Sequence, residues 1–315
     1  MAKNTTFEQV IKKKPKPVWY PGSPENVTQE LKEFNEGHCA AGIKKNGNSC
    51  FTKEQLVRIA TAYNADNPKN KIKFNTRTTA NELWNLIRKQ LSNVCQNEWC
   101  WLDQNFAKGL RGNTSSTGRS GGGTNLDKRF KPRGTKSRTG WLSTTDIDEV
   151  MQMYEKIHDN FTFFGPVPID FKVINTELND LNIEQLDRKH IYRIGIIFNL
   201  DPHDQDGSHW VAMYVDTYHK QIYFFDSYGS CPAPKEIMDL MVSLANKIRK
   251  LRGTRKIDMR CNTTRMQYAN TECGVYSMYF ILELLKGRSF DDVTKNIISD
   301  EEINKFRDVY FRSKK

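Results

Sequence analysis

The chain has 315 residues, a net charge of +11 at pH 7 and 37% hydrophobic residues, which suits about two domains of roughly 150 residues each. It contains no apolar run of about 18 residues, the length of a membrane span, and its start lacks the apolar core of about 7–15 residues that a secretory signal carries. We therefore expect neither a membrane partner nor secretion, and mostly reduced thiols among the seven cysteines.

The positive charge is concentrated in the first part of the chain. Residues 1–140 contain 25 Lys+Arg against 11 Asp+Glu, a balance of +14, whereas residues 141–315 contain 23 against 26, a balance of −3. Such asymmetry indicates an acidic partner such as nucleic acid, bound non-specifically by the basic residues 108–138. A solvated and flexible basic segment is the plainer interpretation.

In chain order, residues 1–26 are rich in Lys and Pro and predict a basic extended arm. Residues 27–104 predict a helical N-terminal domain, because two segments begin with capping boxes, Thr52 with Gln55 and Thr79 with Glu82, and continue as apolar stripes. Residues 105–140 have few large apolar side chains to offset chain entropy, so they predict a basic Gly/Ser-rich linker.

Residues 141–315 mix helical and strand patterns and predict a second domain. A helix with polar caps near Thr144 or Thr145 comes first, and "IYRIGIIFNL", "SHWVAMYVD" and "QIYFFDSYG" predict three strands, the first of them central. "PKEIMDLMVSLANKIRKL" predicts an amphipathic helix, and "RKIDMRCN" predicts a short strand. The stretch after Cys273 is apolar nearly all round, which indicates a helix buried on every side. A polar helix capped by Ser299 follows.

Four cysteines in the N-terminal part, with the adjacent His38, raise the question of a metal. Zinc usually takes two close pairs of ligands, and the spacing between Cys39 and Cys50 is loose. We therefore expect packed free thiols and no metal or cofactor. Structural zinc and disulfide pairing of Cys39, Cys50, Cys95 and Cys100 remain alternatives.

Cys273 begins the buried helix, and this position favours a nucleophile. A free thiol has a pKa of about 8.5 and attacks only as the thiolate. The N-terminus of a helix carries a partial positive charge and unpaired N–H groups, which favour a thiolate and provide donors for an oxyanion. The plainer interpretation is a small buried side chain.

A thiol nucleophile needs a base, and the base needs a group that orients it. His209 stands at the start of a predicted strand, and Asp226 directly follows the next one, so neighbouring strands would bring the two together. Gln267, six residues before Cys273, could donate to an oxyanion. Taken singly, these residues also suit a polar strand edge, a turn and an exposed loop.

The chain order His209, Asp226, Gln267, Cys273, with "HW", "FFDS" and "ECG" around these residues, resembles the adenain and SUMO-protease group of cysteine proteases. The resemblance covers about Trp141 to Arg312 and includes "WLSTTDID", which looks like the opening of their substrate groove. "GSHWVAMYVD", "QYANTECGVYSMYFI" and "ISDEEINKFRDVYFR" are most similar to the polyprotein-processing proteases of large cytoplasmic DNA viruses. An asparagine stands at the position of Asp226 in that viral likeness, whereas aspartate fits the wider group.

This resemblance implies an α+β fold of the papain-like superfamily, adenain type, with a mixed central sheet flanked by helices in residues 141–315. It implies a Cys273 nucleophile, His209 as general base and acid, Asp226 orienting His209, and Gln267 in the oxyanion hole. Substrates would be proteins with Gly-Gly-X sites, bound beside Trp210 and Trp141. A narrow groove roofed by Trp210 would admit only glycine next to the scissile bond.

The biological setting that we expect is processing of viral structural polyproteins during virion maturation, as a late protein of the virion core and host cytoplasm. A deubiquitinating or deSUMOylating isopeptidase would use the same residues. A non-enzymatic nucleic-acid-binding core protein and an acetyltransferase are further alternatives. The "SGGGT" stretch at Gly121–Gly123 suggests self-cleavage, although flexible linkers have the same composition.

Overall fold

A computed structural model describes residues 38–43, 45–110, 126–137, 139–174 and 177–312. The predicted arm at 1–26, the glycines at 121–123 and much of the basic segment 108–138 lie outside the described residues. The chain forms two compact units, Gly134–Tyr310 and Glu36–Arg133, and the second also takes in Phe311 and Arg312.

The N-terminal unit is helical, as predicted. Both predicted capping boxes are present, at Thr52 with Gln55 and at Thr79 with Glu82. Its α-helices are α1 (Lys53–Asp66), α2 (Ala80–Leu91) and α3 (Glu98–Trp101), with 3₁₀ turns at Asn105–Leu110 and Leu126–Arg129. Their apolar sides form one core that includes Phe51, Leu56, Ile59, Leu83, Ile87 and Trp101.

Several residues of the predicted linker, residues 105–140, belong to this core instead. Ala107 and Leu126 are fully buried, and Phe130 is 3% exposed. The compact unit accordingly continues to Arg133 rather than stopping near residue 104. The Gly, Ser and Lys/Arg content of the whole segment hides the few apolar side chains that pack in this core.

The expectation of mostly reduced thiols is wrong for this structure, which joins six of the seven cysteines. The disulfides are Cys39–Cys50, Cys95–Cys100 and Cys231–Cys261, with Cα–Cα distances of 5.4, 5.5 and 5.7 Å, all within the usual range for such bonds. Cys273 alone stays free and buried. Spacing along the chain could not reveal these pairs, because the fold decides which sulfurs meet.

The unit Gly134–Tyr310 is built on a mixed six-stranded sheet. The strands are β1 (Phe161–Phe163), β2 (Val167–Pro168), β3 (Arg193–Asn199), β4 (Trp210–Asp216), β5 (Gln221–Phe225) and β6 (Asp258–Cys261). Strands β1 and β2 both pair in parallel with β3. Strands β3, β4 and β5 are antiparallel to one another in turn, and β6 pairs in parallel with β5. The helices are α4 (Thr144–Glu155), α5 (Ile183–Arg188), α6 (Lys235–Arg252), α7 (Cys273–Leu285), α8 (Phe290–Lys295) and α9 (Asp300–Tyr310).

Helices cover both faces of this sheet. Alternate residues of β3, β4 and β5 join the apolar side of α6 in one core cluster. The other face packs on α7, where Phe225 stacks on Phe280 at 4.7 Å and Ser277 Oγ donates to the Trp210 carbonyl. Every residue of α7 is buried, as its apolar pattern predicts, and the predicted α+β class is confirmed. Among the described helices, none is long and apolar enough to cross a membrane.

Candidate active site

His209 and Asp226 meet at one end of the β4–β5 hairpin. His209 immediately precedes β4 and Asp226 immediately follows β5, and the antiparallel register pairs Ala212 with Phe225. His209 Nε2 lies 2.7 Å from Asp226 Oδ1, and both residues are buried. Because backbone pairing of the two strands fixes both residues, the sheet itself sets the geometry of this pair.

The backbone of Asp226 is held by a buried amide that the sequence did not indicate. Asn262 Oδ1 accepts from the Asp226 N–H at 2.9 Å, and Asn262 Nδ2 donates to the Asp226 carbonyl at 2.7 Å. The Tyr228 N–H donates to Asp226 Oδ1 at 2.9 Å. Gly229 closes this turn at φ 77°, where a Cβ would lie 2.8 Å from the Arg265 nitrogen. The carboxylate is therefore fixed from several sides.

The electrostatics of the pair favour a protonated imidazole. Burial alone lowers the pKa of His209, but the hydrogen bond to Asp226 and the interactions with Cys273 and with the charges of both residues outweigh burial and raise the pKa to about 9 from 6.5. Burial likewise raises the pKa of Asp226, but the hydrogen bonds from His209 and the Tyr228 N–H bring the net shift below its ordinary value. An imidazolium beside a carboxylate is the state that this geometry stabilises.

Cys273 is the first residue of α7 and is 1% exposed. Glu272, at the N-cap position, makes no side-chain capping bond, so the first amides of the helix keep the donor capacity that an anion needs. His209 Nδ1 is buried and makes no hydrogen bond of regular geometry within the described residues. The thiol is nevertheless close enough to raise the pKa of His209, and such contacts commonly tighten only when substrate binds.

Gln267 is fully buried, with its side-chain amide held at both ends. Its Oε1 accepts from Ser227 Oγ at 2.6 Å, and its Nε2 donates to the Ala269 carbonyl at 2.9 Å. The Ala269 carbonyl can only accept, which fixes the nitrogen end of the amide, so Nε2 has a defined place and one further hydrogen to donate. The Ser227 backbone carbonyl also accepts two backbone N–H groups from this loop, those of Met266 and Gln267.

The loop leading to Cys273 is fixed by residues of α9. Asp300 Oδ2 accepts the N–H groups of Tyr268 and Ala269, both at 2.8 Å. Arg307 is 5% exposed and donates to the Thr271 carbonyl at 2.9 Å and to the Gly140 carbonyl at 2.8 Å. One guanidinium thus ties the loop before Cys273 to the segment before Trp141.

Trp210 and Trp141, the two predicted substrate-binding residues, both line a cavity of about 630 Å³. Trp210 is 5% exposed and donates from Nε1 to the Leu142 carbonyl at 3.0 Å, whereas Trp141 is 41% exposed. A Cβ at Gly274 would lie 3.2 Å from Leu142 and 3.3 Å from Trp210. Trp210 and Leu142 therefore lie directly against the first turn of α7.

Tyr228 was missed by sequence reasoning although it lies within the "FFDSYG" motif. Its ring stacks on the His209 imidazole, with centroids 4.4 Å apart and planes at 7°. The Arg265 guanidinium lies over the rings of Tyr228 and Tyr268, at 5.1 and 4.8 Å. The sequence could have indicated this role, because Tyr228 is two residues after Asp226 and a turn there directs its side chain toward the His209–Asp226 pair.

The chain is similar to a known protease family and to individual viral proteases. Residues 151–315 match the model of the Ulp1 protease family, C-terminal catalytic domain. A putative thiol protease of Acanthamoeba polyphaga mimivirus is 34% identical over 283 residues, covering 85% of this chain and 91% of that protein. A SUMO-1 cysteine protease of African swine fever virus is 29% identical over 202 residues, covering 59% of this chain and 73% of that protein.

The fold is likewise similar to a solved structure. The crystal structure of a protease of African swine fever virus superposes with a TM-score of 0.60 at 21% identity, covering 88% of this chain and 96% of that one. The family match covers more than half of the chain. The mimivirus relative, a putative thiol protease, is similar over most of the chain. The chain belongs to the Ulp1 protease family and is a cysteine-type protease.

Proposed function

We propose that the chain is an endopeptidase that cleaves after Gly-Gly-type sites, with Cys273 as nucleophile. The observation that carries the proposal is the convergence of three features at one place: the His209–Asp226 pair, the free thiol of Cys273, and the uncapped start of α7. Each supplies one part that acyl transfer requires, namely a base with its orienting group, a nucleophile and oxyanion donors.

In the proposed reaction, the Cys273 thiolate attacks the scissile carbonyl carbon while His209 stands protonated. Asp226 holds Nε2 of the imidazolium, so Nδ1 is left to give its proton to the leaving amine. The peptide C–N bond breaks and a thioester to Cys273 remains. His209, now neutral, removes a proton from water, which attacks the thioester and releases the acid product and the thiol.

The oxyanion formed in each attack needs donors that are already in place. The Cys273 N–H and Gln267 Nε2 are the proposed donors, and Ser227 and Ala269 hold the amide in position. Preorganised donors of this kind act without reorganisation at the moment of reaction. Arg307 and Asp300 serve as positioning residues, because they fix the loop on which both donors depend.

The Gly-Gly preference is supported by how closely the nucleophile is covered. Cys273 is 1% exposed, and Trp210 and Leu142 lie so close to the adjacent Gly274 that a Cβ there would be 3.3 and 3.2 Å from them. A substrate residue beside the scissile bond must pass through this confined space, so a side chain there would collide with the indole. The larger cavity beyond Trp210, lined by Trp141, leaves room for the residues further along the peptide.

Replacing Trp210 with alanine should therefore relax the preference for glycine. The parent enzyme is expected to favour Gly over Ala next to the scissile bond by about 10- to 200-fold in kcat/KM, and Trp210→Ala should bring the two peptides much closer. Peptide pairs that differ only at that residue give this ratio, which does not depend on the fraction of folded enzyme.

Trp141→Ala is the matched control, since Trp141 lines the same cavity but is largely exposed. It should raise KM for both peptides and keep the ratio between them. An unchanged Gly/Ala ratio in Trp210→Ala, or an equal loss of ratio in Trp141→Ala, would refute the proposed role of the indole.

We further propose that the substrates are viral structural polyproteins, cleaved during virion maturation, with the enzyme in the virion core and host cytoplasm. This proposal rests on the viral origin of the relatives. The second candidate is removal of ubiquitin-like modifiers, favoured by the name SUMO-1 cysteine protease that one relative carries. Both would use the same four residues and differ in the substrate that is cleaved.

Two substrate sets separate these candidates. Mapping of new protein N-termini in infected cells, comparing active enzyme with Cys273→Ala, should find cuts after Gly-Gly within structural precursors. Purified enzyme should leave isopeptide-linked ubiquitin and SUMO chains essentially intact while cleaving precursor peptides. Efficient release of either modifier, without new precursor N-termini, would favour the isopeptidase over the polyprotein protease.

A further inference from the structure

We propose that the N-terminal unit contains a zinc site formed by His38, Cys39, Cys50 and Glu98 when the Cys39–Cys50 disulfide is reduced. The ligand atoms of these four side chains all lie within 4.8 Å of one another. This proposal does not depend on the proposed proteolytic function, because all four residues belong to the unit Glu36–Arg133. It also departs from the expectation of no metal.

The donor set suits zinc in number and kind. Structural zinc is tetrahedral and takes thiolate, imidazole and carboxylate ligands at about 2.0–2.3 Å. Four such ligands around one ion lie roughly 3.3–3.8 Å apart, and the ligand atoms of this cluster already lie within 4.8 Å of one another. Opening the disulfide is the main movement required, because His38 Nε2 and Glu98 Oε1 are already 2.8 Å apart.

Glu98 is the residue that distinguishes this cluster from an ordinary disulfide. It is 2% exposed and its carboxylate accepts from Ser49 Oγ at 2.7 Å, the Cys50 N–H at 2.9 Å and Trp84 Nε1 at 3.1 Å. A buried carboxylate is costly unless cations and hydrogen bonds compensate it. Neutral donors that orient a carboxylate while leaving it charged are typical of the groups surrounding a metal ligand.

The surroundings also fix His38 and moderate the charge of the site. The His38 imidazole packs against Trp99, with centroids 4.7 Å apart, and its side chain is 28% exposed, which leaves a path for an ion. Two thiolates and one carboxylate exceed the charge of Zn²⁺ by one. Arg129 donates from Nε to the Cys50 carbonyl at 2.7 Å and interacts with the charge of Glu98, so a cation already stands beside the excess charge.

The other two cysteine pairs lack this set of partners. Across the residues that the structure describes, His38, Cys39, Cys50 and Glu98 form the group of metal-ligating side chains close enough to share an ion. The Cys95–Cys100 pair instead has the Gln104 amide against both sulfurs. Cys95–Cys100 therefore serves as the matched control for the effects of reduction alone.

Zinc binding and disulfide formation are then alternative states of the same two sulfurs. A low-molecular-weight disulfide oxidises the two zinc-bound thiolates, the Cys39–Cys50 bond forms, and Zn²⁺ leaves. The small disulfide is reduced and, with two protons from solvent, departs as two thiols. Electrons and atoms balance without any other reactant.

The test uses the full chain carrying Cys273→Ala, which removes the catalytic thiol as a competing ligand. The protein is reduced with a phosphine, given zinc, desalted and analysed for bound metal, and a second sample is loaded with Co²⁺. We expect stoichiometric zinc, a thiolate-to-cobalt charge-transfer band, and release of zinc when oxidised glutathione restores the Cys39–Cys50 bond, located by peptide mass mapping.

Two ligand variants and one control decide the assignment. His38→Ala and Glu98→Gln should weaken zinc binding by at least about tenfold, whereas Cys95→Ser should bind as the parent does. Melting curves without zinc identify a variant that has lost its fold, and the cobalt spectrum of the parent then stands as the independent measurement. Zinc absent after desalting, parent-like affinity in both ligand variants, no thiolate-to-cobalt band, or a Cys39–Cys50 bond that resists reduction would each overturn the site.

Discussion

Replacing Asp226 with alanine should lower kcat on the order of 10³- to 10⁴-fold, the loss expected when the orienting carboxylate of a catalytic histidine is removed. The variant loses the 2.7 Å contact to His209 Nε2 and leaves the imidazole buried without its acceptor. Substrate binding does not use this carboxylate, so KM should change little. Steady-state kinetics on a Gly-Gly peptide measures both constants.

The pH profile of the same variant provides a second and more specific result. In the parent, the pKa of His209 is raised to about 9, so the imidazolium persists through neutral pH and the alkaline limb of kcat/KM should lie near pH 9. Without the carboxylate, the pKa of His209 loses one of the two groups that raise it against burial, and Cys273 alone remains, so the alkaline limb of Asp226→Ala should move to lower pH. An alkaline limb that stays in place would contradict the assignment.

The raised pKa of His209 also makes the stability of the fold depend on pH. Because the pKa of His209 is higher in the folded state than the ordinary 6.5, protonation stabilises the fold fully below about pH 6.5. That stabilisation is lost as the pH rises through about 9. The parent should therefore gain more stability than Asp226→Ala when the pH is lowered from 9 to 6.5.

Asp216→Ala is the matched control for loss of a buried carboxylate. Asp216 is 1% exposed, lies at the opposite end of β4 and accepts from His219 Nδ1 at 2.9 Å. Its removal breaks a second Asp–His pair in the same sheet, far along the strand from His209. We expect nearly full kcat from the folded fraction, and a loss as large as that of Asp226→Ala would mean that general damage to the sheet explains both.

Replacing Gln267 with alanine should reduce kcat by about 10²- to 10³-fold with little change in KM, the effect typical of removing one oxyanion donor. The amide contributes only once the carbonyl oxygen has become negative, so the ground state loses little. Ser227→Ala, which removes the hydroxyl that orients Gln267, should show a smaller loss of the same kind. Gln267→Glu should resemble the alanine variant, since a carboxylate cannot donate.

Gln205→Ala provides the comparison for a glutamine that lines the cavity away from this loop. It should affect KM rather than kcat, because Gln205 can contact only the bound peptide. A Gln267→Ala variant that raises KM and keeps kcat would move Gln267 from the oxyanion hole to substrate binding.

Sequence patterns predicted the parts of the fold that depend on local periodicity. The apolar stretch after Cys273 predicted a fully buried helix, and the strands containing "GIIFNL", "HWVAMYVD" and "IYFFD" appear as β3, β4 and β5. The pairing of His209 with Asp226 followed from the expectation that these strands are neighbours. It was predictable because a hairpin brings together residues that are close in sequence.

Contacts between distant parts of the chain were not predictable in the same way. Asn262 reaches the site from just after β6 and Arg307 from α9, and an ordinary asparagine or arginine carries no pattern that marks such a role. The disulfides illustrate the same limit, since Cys231 and Cys261 meet only because the sheet brings them together. The apolar residues of the predicted linker that pack in the N-terminal core, such as Leu126 and Phe130, were hidden by the polar residues around them.

The contacts of Arg307 have a consequence for when the enzyme becomes active during its synthesis. Translation proceeds from the N-terminus, so the ribosome adds the nucleophile and its histidine before it adds the arginine that fastens Thr271 and Gly140. A nascent chain therefore contains Cys273 and His209 before it contains Arg307. We therefore expect full activity only once Arg307 has bonded to the Thr271 and Gly140 carbonyls.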